Sequence, residues 1–227
     1  MTVNSIYILS EDENDENFYN LCVEKIKAQG FQLVPIRLRK ASGIAKVRRN
    51  LPWLVNQVSH YRQAQQVFFV IALDNDRSPT HPDHQRIPHI AKLPKKEQTR
   101  PCRFCELEKV LHEILGRNRS QWSIKGAIAV PVQMLESWLL LICNPSQYQN
   151  EAALPYFAEK SQPIAQRYYA PHPPGPQLKD LKAIEKSQLG LTSEEDFCLH
   201  CIDKLAPGDL AAIAPSFELF KRQIDAW

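Results

Sequence analysis

The sequence predicts an α/β fold, a parallel sheet of about four strands with helices on both faces, followed by an all-helical C-terminal cap. Three observations carry this expectation. Between residues 3 and 143, short apolar segments alternate with segments of helical period, strand then helix, four times over, the pattern of a parallel sheet with right-handed crossovers. One of those segments, Val67–Leu73 (VFFVIAL), is seven unbroken apolar residues, as expected of a strand buried on both faces. After residue 176 only helical spacing remains. The predicted organisation is an α/β domain over 1–143, a Pro/Tyr-rich connector over 144–176 and a helical subdomain over 177–227.

Taken in order, residues 3–10 (VNSIYILS) make the first strand. Phe18, Leu21, Cys22 and Ile26 recur at helical spacing, and Gly30 supplies a C-terminal stop. Phe31–Leu38 reads as a second strand, with Pro35 placing it at a sheet edge. Ile44 to about Tyr61 carries Val47, Leu51, Leu54, Val55 and Val58 on one helical face, with Pro52 bending it or resetting its start. The third strand, Val67–Leu73, leads into a polar loop, Arg77–Arg100, holding four prolines and three histidines. A helix from Glu106 to Leu115, a strand from Ile124 to Val130 and a helix from Val132 to Cys143 complete the α/β pattern. The connector contains PHPPGP, a poor context for regular structure. Helices then follow at Leu178–Leu189, Glu194–Leu205 and Phe217–Ile224, with Thr192 or Ser193 as the N-cap of the second.

Composition narrows the class. Of the 227 residues 44% are hydrophobic and 23% charged, ordinary for a globular chain and against disorder. The net charge of +3 is too small to argue for nucleic acid alone. The N-terminus lacks a basic start and a small-residue cleavage site, and no apolar run approaches the roughly 20 residues of a membrane span, so a cytoplasmic setting without membrane association is expected. Six cysteines then read as thiols or metal ligands rather than disulfides.

Acids fall at equivalent places in this architecture. Glu11 follows the first strand, Asp74 and Asp76 follow the third, and Glu136 lies in the helix after the fourth. With strand order 2-1-3-4, strands one and three are neighbours and their C-terminal acids converge, where open α/β sheets bind ligands. Carboxylate oxygens suit a hard cation such as Mg²⁺. Each acid also has a plainer role, as helix N-terminal charge for Glu11–Glu16 or turn chemistry for Asp74-Asn75-Asp76. Glu136 differs: Val132, Met134, Leu135 and Trp138–Ile142 leave its helix almost no polar face, so the helix is expected to be buried. A buried carboxylate needs a metal or a partner such as an arginine or a backbone amide.

These residues resemble the TOPRIM domain, a Rossmann-like metal-binding fold with a glutamate after strand one and Asp-x-Asp after strand three, here Glu11 and Asp74-Asn75-Asp76. More closely, the chain is similar to small TOPRIM-like bacterial proteins related to the OLD nucleases. Their first motif, Val-Glu-Gly-x-Thr-Glu-x-x-Phe, stands here as Ser10-Glu11-Asp12-Glu13-Asn14-Asp15-Glu16-Asn17-Phe18. Their strand–Pro–Glu–x–Trp segment stands as AVPVQMLESW, and their closing helix as Pro215-Ser216-Phe217. Asp12 replaces the family's glycine, so either Glu11 or Glu13 is the acid facing the site, with Asp15 a further candidate. The resemblance implies Mg²⁺- or Mn²⁺-dependent phosphodiester chemistry. Glu11 would be general base or second-metal ligand, Asp74 and Asp76 ligands of the first metal, and Glu136 a further ligand. It also implies a nuclease in a phage-defence or DNA-repair setting with an ATPase partner. The rival reading is a non-catalytic metal- or nucleotide-sensing subunit of that ATPase.

Basic residues supply a substrate surface. Residues 37–49 (RLRKASGIAKVRR) hold six basic residues, Arg37, Arg39, Lys40, Lys46, Arg48 and Arg49, and no acid. Lys95 and Lys96 follow the third strand, and Lys179 and Lys182 are further candidates for reaching a phosphate. DNA or RNA is the expected partner; a solvated helix face is the plainer alternative. Finally, Cys102-x-x-Cys105 and Cys198-x-x-Cys201 match a structural zinc site if the two pairs meet. The loop histidines His81, His84 and His89 are alternative ligands, and core packing is the plainer reading of the cysteines.

Overall fold

The computed structural model describes residues 4–11, 14–36, 43–60, 67–75, 81, 102–117, 125–131, 134–148 and 178–227. Its elements are β1 (Asn4–Leu9), α1 (Asn14–Lys27), β2 (Phe31–Leu33), α2 (Gly43–His60), β3 (Val67–Ala72), α3 (Arg103–Arg117), β4 (Lys125–Ala129), α4 (Glu136–Cys143), α5 (Pro145–Tyr148), α6 (Leu178–Gln188), α7 (Glu194–Lys204), α8 (Pro207–Ile213) and α9 (Pro215–Asp225). The fold is α/β with a helical C-terminal region. The four strands described form one parallel sheet in the order β2-β1-β3-β4, the order under which strands one and three are neighbours. No helix among the described residues is long and apolar enough to cross a membrane.

The chain divides into two units, one comprising residues 1–73, 104–129 and 220–227, the other 74–103 and 130–219. In the first, β1 and β3 are the central strands, and Ile6, Ile8, Leu9, Phe68–Ile71 and Ala72 are buried. Burial on both faces is what an unbroken apolar run requires. β2 stops at Leu33 rather than Leu38, since Pro35 has no N–H to extend an edge ladder. α2 runs through Pro52, which lies exposed, and buries Val47, Leu51, Leu54 and Val55. α1 ends at Lys27, and Ala28 takes the left-handed conformation (φ 51°) where Gly30 was the expected stop. That placement costs about 1 kcal/mol relative to glycine.

Gly126 in β4 is required sterically. A Cβ there would lie 2.2 Å from Cζ of Phe69, so the ring covers the glycine. The C-terminal residues finish this unit. Trp227 stacks against Phe68 with ring centres 4.9 Å apart and donates from Nε1 to the Gly126 carbonyl at 3.2 Å. Gln223 pairs with the backbone of Ile128, accepting from its N–H at 3.0 Å and donating to its carbonyl at 3.1 Å. A side-chain amide thereby supplies on β4 the hydrogen bonds that a further strand would make.

The second unit is built on α4. All eight of its residues are buried, and α5, α6, α7 and α8 pack around it. Trp138 donates to Ser216 Oγ at 2.9 Å and meets Phe217 edge-on. Ser193 is the N-cap of α7, its Oγ accepting from the Asp196 N–H at 2.9 Å. Gly190, at φ 69°, ends α6. The short helices α5 and α8 were not anticipated; α8 carries proline at its first position, a favoured helix start.

Candidate functional site

The acids are placed by the strand ends. β1 and β3 pair in register, Leu9 opposite Ile71, so the chain leaves the two strands side by side. Glu11 follows β1 by two residues and is half-buried. Its carbonyl accepts a hydrogen bond from Nζ of Lys46 at 3.1 Å. Lys46 is itself only 6% exposed, unusual for a lysine and tolerable because the ammonium finds a carbonyl. Asp15 lies in the first turn of α1, where a negative charge opposes the helix dipole. Arg48 and Arg49 are exposed on α2, and Arg48 forms an ion pair with Glu106 of α3.

In the second unit, Asp74 stands at the head of α4. Its Oδ1 accepts from the Leu135 N–H at 3.0 Å, satisfying one of the donors a helix N-terminus leaves unpaired. Asn75 is buried, and its N–H donates to the Pro131 carbonyl at 3.2 Å. Glu136, the next residue after Leu135, is buried as expected, and the cation beside it is Lys182, Nζ to Oε1 2.9 Å. Lys182 also pairs with Glu194 at 2.7 Å, and Glu194 with Lys186 at 2.7 Å. Burial works against the Lys182 charge, but hydrogen bonds from its ammonium to Glu136 and Glu194 outweigh it and push its pKa up to about 12. The same lysines hold Glu194 below the usual carboxylate range. Lys179 is exposed on α6.

The structure thus joins Asp74, Leu135 and Glu136 at one helix end, and joins Lys182 to Glu136. Asp76, Glu13, Arg37, Arg39, Lys40, Lys95 and Lys96 lie outside the described residues. A cluster that the sequence reading missed sits nearby on α6: Glu185 is buried, accepting from Tyr148 Oη at 2.6 Å and from Cys143 Sγ at 3.7 Å. Its position in the Leu178–Leu181–Glu185 stripe was the available signal, since that spacing marks the buried face of a helix.

The two cysteine pairs have different surroundings. Cys201 is buried; burial above all, with Cys143 and Cys198 nearby, pushes its thiol pKa up, and Sγ donates to the Leu139 carbonyl at 3.6 Å. A thiol held protonated in this way is a core residue in its chemistry. Cys198 is half-buried. Cys102 is buried immediately before α3, Cys105 is half-buried in the first turn of that helix, and His81 Nδ1 lies 4.0 Å from Cys102 Sγ. Among the described residues, no cluster of metal-ligating side chains joins Cys102 with Cys198 and Cys201. His84 and His89 lie outside the described residues.

Comparison of the chain with protein-family models, with curated proteins and with solved structures finds no match.

Proposed function

We propose that this chain is a divalent-metal-dependent phosphodiesterase acting on nucleic acid, with Glu11, Asp74 and Asp76 holding Mg²⁺ or Mn²⁺. The observation that carries this reading is the parallel register of β1 and β3, Leu9 opposite Ile71, because acids following the ends of adjacent parallel strands occupy the usual ligand position of such sheets. The donor chemistry fits, since carboxylate oxygens are the ligands of hard divalent ions. The hydrogen bond from the Leu135 N–H fixes the orientation of the Asp74 carboxylate, the role outer partners play for metal-binding groups. Lys46 holds the Glu11 backbone through its carbonyl. Glu136 is charge-compensated by Lys182, so it serves the position of α4 rather than needing an ion. A bound ion supplies activation of water and charge neutralisation at the phosphate.

The test is cleavage of plasmid DNA, single-stranded DNA and RNA with Mn²⁺, comparing wild type with Asp74→Asn and Asp74→Ala. Asp74→Asn keeps an oxygen acceptor for the Leu135 N–H and removes the charge. Both variants are expected to lose more than the ~10–100-fold typical of an outer-shell change. Cleavage that survives Asp74→Asn rules out the site. Calorimetric Mn²⁺ binding without cleavage of any substrate replaces the enzyme with a non-catalytic, metal-sensing subunit.

A further inference from the structure

We propose a second metal site, a zinc site built by His81, Cys102 and Cys105, separate from the carboxylates and from the Cys198–Cys201 pair. Two local features carry it. His81 Nδ1 lies 4.0 Å from Cys102 Sγ. A tetrahedral zinc ion with Zn–N near 2.0–2.1 Å and Zn–S near 2.3 Å sets those two donors about 3.6 Å apart. The observed pair is therefore within roughly 0.4 Å of ligand geometry, a difference that small side-chain rotations supply. The second feature is covalent: Cys105 follows Cys102 by three residues across the start of α3, which begins at Arg103. Residues so spaced at a helix start rise on one side of it.

Imidazole nitrogen with two thiolates is the donor set that selects zinc over magnesium or calcium. It is the opposite in kind to the hard oxygens of Glu11 and Asp74, so the two sites would take different ions. Among the described residues these three are the ligands, and a tetrahedral ion takes one more. Metal binding at these residues ties His81 to the head of α3. The second cysteine pair takes no part, because Cys201 spends its thiol proton on the Leu139 carbonyl.

The experiment is a Co²⁺ titration of the chelator-stripped full chain, read by thiolate-to-cobalt absorption, then displacement by Zn²⁺. Saturation at about one ion per chain with tetrahedral cobalt bands is expected. His81→Ala and Cys105→Ser each weaken binding by about 100-fold or more, while Cys198→Ser titrates like wild type. His81 and Cys105 are half-buried, so neither change empties the core, and far-ultraviolet circular dichroism verifies the fold of each variant. Absence of thiolate-to-cobalt absorption in the wild type overturns the site. So does absorption that survives either substitution, or absorption lost in Cys198→Ser. The readout is spectroscopic and holds whatever the outcome of the nuclease assay.

Discussion

Glu136 heads a helix whose eight side chains are all buried, and Lys182 is the cation that accompanies it out of water, 2.9 Å away. Removing one partner of a buried pair leaves the other uncompensated, which costs about 3–5 kcal/mol, whereas replacing both with apolar groups is often neutral. Lys182→Met is accordingly expected to lower stability by about 3 kcal/mol, and Lys182→Met with Glu136→Leu to recover most of it; urea unfolding of the four proteins of that cycle measures both. The pH dependence has a definite sign. Because the folded-state pKa of Lys182 is raised to about 12, its stabilisation is complete below the unfolded value of about 10.4 and is lost as pH rises through 12. Glu194, held low by Lys182 and Lys186, contributes above the ordinary carboxylate range and loses its contribution as pH falls. Lys182→Met is therefore expected to flatten the alkaline limb of a thermal-stability profile, and an unchanged limb would contradict the pairing.

At the scale of elements, β4 is an edge strand among the described residues, and its backbone at Ile128 is satisfied by the amide of Gln223. Ile128 is only 3% exposed, so water does not readily replace that amide. Gln223→Ala leaves a buried N–H and C=O unpaired, and a loss of about 1–3 kcal/mol is expected from the reduced urea midpoint at unchanged slope. A uniform midpoint would mean that the amide contributes nothing. Gln223 carried no signal in the sequence, because a polar residue on an amphipathic helix has solvent as its default partner. α4 is the contrasting case. Its apolar run, Trp138–Cys143, already required burial, and the whole helix is buried.

At the scale of the whole molecule, a net charge of +3 is too small to hold a polyanion by itself, so affinity must come from clustered cations. The run over residues 37–49 holds six of them, and Arg48 is already engaged by Glu106. Lys46 is buried and its ammonium donates to the Glu11 carbonyl. If Arg37, Arg39 and Lys40 each neutralise a phosphate of duplex DNA, counterion release lowers affinity about 40-fold between 50 and 200 mM salt. Fluorescence anisotropy with a labelled duplex across that range measures the slope. Binding indifferent to salt would remove this run from the interface.

Periodicity belongs to the chain itself, and it determined the alternation of strand and helix and the buried α4; the order β2-β1-β3-β4 is a matter of through-space pairing. Periodicity also marked Glu136 as a carboxylate that must have a partner. Which partner was a tertiary matter: Lys182 lies 46 residues away, and no local pattern distinguishes it from Lys179 or Lys186. His81 and Cys102, 21 residues apart, meet for the same kind of reason, and the proximity of the Cys198 pair to α4 is likewise invisible in spacing. A residue's need for a cation, an acceptor or an ion follows from its own chemistry and burial. The group that answers the need is chosen by through-space distance, which exists only once the chain has folded.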